Sequence, residues 1–215
     1  EVPERAEVLI TESTYGNRLH DPIEKMDDEL LEVVRRTVGR GGKVLIPSFA
    51  LERAQEILFA LRRLSVRGAE LPRVPIYLDS PLTIAVTEVF KLHVECFDDD
   101  LKAFMRQNGD PFSFAGLHYI SRVEDSMKLN TSRESCIIVA ASGMCESGRI
   151  VHHLRNHIED KRNTVALVGY QAEHTLGRRI QERRPRVKIF GVERDLNAEV
   201  VVLAGFSAHA DQKDL

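Results

Sequence analysis

Residues 136–144 read Cys-Ile-Ile-Val-Ala-Ala-Ser-Gly-Met, an apolar run that passes straight into a small, polar, glycine-marked turn. A run that is apolar at every position has no solvent face, so it reads as a central strand of a parallel sheet, buried on both sides. Working outward, the same design recurs at 43–47 (KVLIP, then SFA), 74–78 (VPIYL, then DS), 164–168 (TVALV, then GYQAE), 199–203 (EVVVL) and 7–11 (EVLIT, then ESTYG). A shorter run stands at 187–190. Between them lie helical patterns at 23–38, 51–66, 81–107 with a break near Asp98 to Asp100, 147–157 and 174–183. Ser80 and Pro81 mark the third helix with a cap and a first-turn proline, and Gly39, Gly41 and Gly42 stop the first. Strand and helix in alternation predict an α/β fold: a three-layer domain with a mainly parallel central sheet, helices on both faces and right-handed crossovers. The order of the strands is not legible at this level.

The 215 residues are 43% hydrophobic and 29% charged, with 30 basic against 33 acidic side chains and a net charge of −3. That composition belongs to a folded globular chain and excludes a fibre or a low-complexity tail. Three cysteines, Cys96, Cys136 and Cys145, with no Cys-x-x-Cys pair, exclude a disulfide scaffold, and Cys136 in its apolar run reads as a buried, reduced thiol. No apolar stretch approaches the roughly 18 residues that a membrane-spanning helix requires, and no leader peptide is visible, so a cytoplasmic location is expected. The chain opens at Glu1 with its first methionine at Met26 and closes in what reads as the first turn of a helix, which suggests a piece of a longer protein. Charge is uneven: residues 149–194 hold 11 basic and 5 acidic side chains, and 22 of the 30 basic residues are arginine, suited to phosphate or carboxylate. A solvated helical face and a polyanion-facing surface both fit this pattern.

In parallel sheets ligands bind outside the carboxyl ends of the strands, so the turns after the strands carry the functional reading. Taken singly, Ser, Gly and Asp there are what any turn into a helix needs. Two ionisable residues stand out. Glu12 closes the run 7–11, where a carboxylate can orient an imidazole or move a proton, and His209 follows the run 199–203 among the small residues Ser207, Ala208 and Ala210. If their strands are neighbours, the two meet across 197 residues of chain. His153 and His157 are four apart on one helical face with His152 adjacent, but without the internal Glu of a zincin or a third ligand they read as structural.

The runs Glu12-Ser-Thr-Tyr-Gly-Asn, Pro47-Ser-Phe-Ala-Leu-Glu-Arg-Ala-Gln-Glu, Leu78-Asp-Ser-Pro-Leu, Ala141-Ser-Gly-Met, Gly169-Tyr-Gln-Ala-Glu-His-Thr-Leu-Gly-Arg and Gly205-Phe-Ser-Ala-His-Ala-Asp together resemble the β-CASP region of RNA-processing metallo-β-lactamase-fold nucleases. The likeness is to the branch of the cleavage and polyadenylation endonuclease, in its bacterial and archaeal form, and spans nearly the whole chain in order. It implies that Glu12 and His209 pair beside the scissile phosphate, and that Ser207 lies near RNA phosphate. It implies further that 21–195 is the β-CASP domain and that 1–20 and 196–215 are stubs of a metallo-β-lactamase domain in the same polypeptide. Two zinc ions would be bound by residues outside this chain, so no metal ligand is assigned here and the chain alone should be inert. Ser13, Thr14, Tyr15, Ser142, Gly143, Arg178 and Arg179 join Ser207 as candidate RNA or phosphate contacts.

The resemblance thus implies a module of a zinc-dependent ribonuclease that grips single-stranded RNA. Three other readings stay open: a non-catalytic RNA-processing scaffold, a DNA-directed nuclease of the same superfamily, and a nucleotide-binding domain, the last weakened by the lack of any glycine-rich phosphate loop after a strand. No membrane partner is expected; a homodimer is left open.

Overall fold

The computed structural model describes residues 5–17, 19, 23–68, 71–206, 210 and 212–213. Its centre is a six-stranded, all-parallel sheet in the order β3-β2-β4-β1-β5-β8. The strands are β1 (Val44–Pro47), β2 (Ile76–Leu78), β3 (Leu117–Tyr119), β4 (Ile137–Ala140), β5 (Thr164–Leu167) and β8 (Glu199–Val202). A separate antiparallel hairpin joins β6 (Arg186–Ile189) to β7 (Val192–Asp195). In register, Val44 lies opposite Ile137 and Ile46 opposite Val139, so the two most apolar runs are neighbours at the middle of the sheet.

The period of two along these strands sorts the core into two halves. Val44, Ile46, Ile76, Leu78, Ile137 and Val139 face α1 (Ile23–Gly39) and α2 (Arg53–Val66). Leu45, Ile138, Val165, Leu167 and Val200 face α6 (Arg149–His157), α7 (Leu176–Gln181) and the hairpin. The strands β1, β4 and β5 therefore bury both faces, which is why their sequences show no polar alternation. The three-layer α/β arrangement is as expected from the sequence. Of the other helices, α3 (Pro81–Leu92) begins as its Ser80-Pro81 signature predicts, with the Ser80 hydroxyl accepting the Thr83 N–H at 3.3 Å. The break in the long helical pattern falls where Asp98 caps α4 (Asp99–Asn108) by accepting the Leu101 N–H at 2.7 Å. The remaining helix, α5 (Val123–Thr131), and the strands β3 and β7 were not anticipated.

One expected strand is absent. Residues 7–11 take no strand conformation, and Val8, Leu9 and Ile10 are 78%, 75% and 92% exposed. Among the described residues the run has no neighbouring strand to complete a ladder, and a β-run without a ladder leaves its backbone groups to water. Among the described residues no helix is long and apolar enough to cross a membrane.

Candidate functional site

The connection from β1 runs to β2 on one side, whereas the connection from β4 runs to β5 on the other, although β1 and β4 are adjacent. Such a reversal opens a crevice at the carboxyl ends of the strands. The turns after β1, β4 and β5 meet there, with Phe49 against Gly143 and beside Gly169, and the turns after β5 and β8 border a narrow cavity next to it.

Two of these turns are stitched together. Buried Gln171 donates its amide to the carbonyls of Gly143 and Gly169, at 3.0 and 3.1 Å. The Gly177 N–H donates to the Met144 carbonyl at 3.0 Å, and the Glu146 carboxylate accepts the Leu176 N–H. Gly177 is required here, since a Cβ at that position would overlap the Gln171 side-chain oxygen. The Ser142 hydroxyl accepts the N–H groups of Glu146 and Ser147, at 3.2 and 3.3 Å, so it shapes its own turn. Gln171 and Glu146 were not picked out from the sequence; Gly177, six residues after Gln171, was the available sign of a close approach.

At one end of the crevice Glu12 spans the two ends of the chain. One carboxylate oxygen accepts the Thr14 N–H at 3.0 Å and the other accepts the Ala210 N–H at 2.7 Å. The Ser13 carbonyl closes the same turn by accepting the Gly16 N–H at 3.1 Å. Tyr15 is buried and meets Tyr170 edge to face, with ring centroids 6.1 Å apart. Glu12 is thus held against the residue that follows His209, although His209 and Ser207 themselves lie outside the described residues.

The arginines divide. Arg178 lines a narrow cavity with Tyr15, Gly169, Tyr170 and Leu203 while its Nε donates to Glu182 at 2.8 Å, a hydrogen bond that raises its pKa and draws that of Glu182 down. Arg179 turns back to the His174 carbonyl at 2.6 Å. Much of the rest of the basic surplus is in exposed ion pairs: Arg186 with Asp195, Arg194 with Glu159, Arg162 with Asp160.

Beside the crevice lies a buried polar hub that sequence reasoning missed. Asp79, 0% exposed, accepts from Arg149 at 2.5 Å and Ser126 at 2.5 Å, and faces Nε2 of His153 at 2.6 Å. Nδ1 of His153 faces the Asn130 side-chain oxygen at 2.8 Å, and Arg149 continues to the carbonyls of Ile120 and Ser121. Burial acts to raise the Asp79 pKa, but hydrogen bonds from His153, Ser126 and Arg149 outweigh it and hold the carboxyl below its usual range. One helical turn on, His157 is buried with its Nε2 unpartnered; desolvation, with Lys43 and His153 nearby, lowers its pKa to about 4. The His153/His157 pair therefore points into the protein, stacked 6.5 Å apart, while His152 lies on Phe190 at 4.8 Å. Cys136 is buried 3.7 Å from the Lys43 ammonium, and burial raises its pKa.

The clasp at Glu12 and the stitched turns thus lie on a parallel α/β domain. Residues 54–180, more than half of the chain, match the Beta-Casp domain family. The chain is 43% identical over 214 residues to "Ribonuclease TTHA0252" of Thermus thermophilus, covering 100% of this chain and 49% of that protein. It is 36% identical to an "RNase J-like protein" of Methanocaldococcus jannaschii (97% of this chain, 48% of that one). It is 35% identical to "Transcription termination factor FttA" of Methanosarcina mazei (98% and 34%). The chain belongs to the Beta-Casp domain family of metallo-β-lactamase-fold nucleases, as its motifs implied. It spans about half the length of the first of these relatives and about a third of the last.

Proposed function

We propose that this chain is the substrate-gripping β-CASP part of a zinc-dependent ribonuclease that hydrolyses RNA phosphodiester bonds. The observation that carries this reading is the Glu12 clasp, a carboxylate bound to the N–H of Ala210 and so held one residue from His209. In this reading Glu12 fixes the backbone at Ala210 and thereby aims His209 at the phosphate, and His209 moves the proton at a phosphate or leaving oxygen. The crevice lined by residues 141–146 and 169–177 receives the strand, with Arg178 and Arg179 on its basic flank.

The described side chains do not assemble a zinc site. Both oxygens of Glu12 accept backbone N–H groups, and among the described residues no three His, Cys, Asp or Glu side chains converge. The reading therefore assigns zinc to the metallo-β-lactamase domain of the same polypeptide, with 1–20 and 196–215 leading into it, and routes no step through metal on this chain.

The ribonuclease reading is favoured over the termination-factor one by the higher identity, 43% against 35%. It is tested by His209→Ala in the full-length protein: RNA cleavage should fall by at least about 100-fold while RNA binding changes little. Unchanged turnover removes His209 from the mechanism, and preferential cutting of DNA returns the DNA-directed alternative.

A further inference from the structure

The Phe49 side chain has no part in the clasp, the hub or the stitching of the turns, yet it stands at the reversal point of the sheet, two residues past the end of β1. It is 43% exposed among polar turns, whereas Tyr15 at the same rim is 7% exposed. The ring also packs closely on one side. A Cβ on Gly143 would come within 2.9 Å of both Cδ2 and Cε2 of Phe49, and one on Gly169 within 3.8 Å of Cε2. The glycine at 143 thus makes room for the ring, and the one at 169 borders it. Its backbone is fixed as well: the Ser48 hydroxyl donates to the Phe49 carbonyl at 2.9 Å, and the Ser48 N–H donates to the Ala140 carbonyl at 3.0 Å.

An exposed aromatic ring in a ligand crevice leaves apolar area in water unless something covers it. A ring already packed on one side has less rotamer freedom left to lose on binding. Nucleobases are flat, apolar on their faces and sequence-tolerant as stacking partners. We infer that Phe49 is a stacking platform for one nucleobase of the single-stranded RNA, a base-binding subsite separate from the phosphate contacts; this rests on the ribonuclease reading above.

The test is equilibrium binding in EDTA, with the full-length protein, of a single-stranded RNA and of a set in which one nucleotide at a time lacks its base. Wild type should lose about tenfold in affinity at one position of the set. Phe49→Leu, which keeps an apolar side chain of similar size, should lose about tenfold on the intact RNA and nothing further at that position, while Phe49→Trp should bind as wild type does. If Phe49→Leu binds intact RNA like wild type, or still loses about tenfold at the position where wild type does, the ring packs against protein and the proposal falls. A wild-type protein that binds no RNA would instead overturn the ribonuclease reading.

Discussion

Asp79 and Glu12 are both carboxylates in turns at the mouth of the sheet, and they are used in opposite ways. Asp79 is out of contact with water, gathers a guanidinium, an imidazole and a hydroxyl, and ties β2 to α5 and α6. Glu12 is exposed and takes backbone N–H groups from two segments almost 200 residues apart. A buried carboxylate with charged partners is committed to the fold, because moving it leaves those partners unpaired. An exposed one held by N–H groups keeps its charge within reach of solvent, and under the proposed function its loss falls on chemistry.

The contrast can be broken at Asp79 first. Asp79→Ala strands the Arg149 and His153 side chains and should lower stability by about 3–5 kcal/mol, read from denaturant midpoints of the 215-residue chain. A loss under about 1 kcal/mol would mean that the hub is not structural. The hub also has a pH signature next to it. His157 has a folded pKa of about 4 against about 6.5 unfolded, so the unfolded chain binds the extra proton between those values. Its contribution is complete above pH 6.5 and is lost as the pH falls toward 4, by about 3 kcal/mol. His157→Leu should flatten that window relative to wild type. The Asp79 contribution, from a depressed carboxyl pKa, is lost only below about pH 4.

At Glu12 the expected effect moves from stability to activity. Glu12→Gln in the full-length protein should change stability by no more than about 0.5 kcal/mol and lower RNA cleavage by about 100-fold. Equal losses of both would erase the distinction. The smallest effect is expected at the basic flank. Replacing Arg178 and Arg179 with alanine should reduce the slope of log affinity against log salt by about 0.7 for each phosphate that an arginine no longer neutralises. An unchanged slope would leave Arg178 as the partner of Glu182 and no more.

These expectations also mark what was legible in the sequence. The buried runs at 44–47, 137–140 and 164–167 announce themselves because a strand covered on both faces must be apolar at every position. The strand β7, Val-Glu-Arg-Asp, is half of an exposed hairpin, and β3 has three residues at the sheet edge, so neither carries that signal. Residues 7–11 mislead for the converse reason: their composition suits a strand, but no neighbour within the described chain completes it. At the site, Glu12 could be singled out as a carboxylate ending an apolar run. The hub could not, because Asp79, Ser126 and His153 are joined by folding across 74 residues and share no spacing. Gln171 was hidden similarly, since only the approach of Gly177 reveals what its amide reaches.

The most direct test is cleavage of a 5′-labelled single-stranded RNA in the presence of zinc, by the 215-residue chain and by the full-length protein side by side. The account predicts cutting by the full-length protein alone. Cutting by the chain itself would contradict the assignment of the metal to residues outside it, and cutting by neither would turn the reading toward a scaffold or a DNA-directed nuclease.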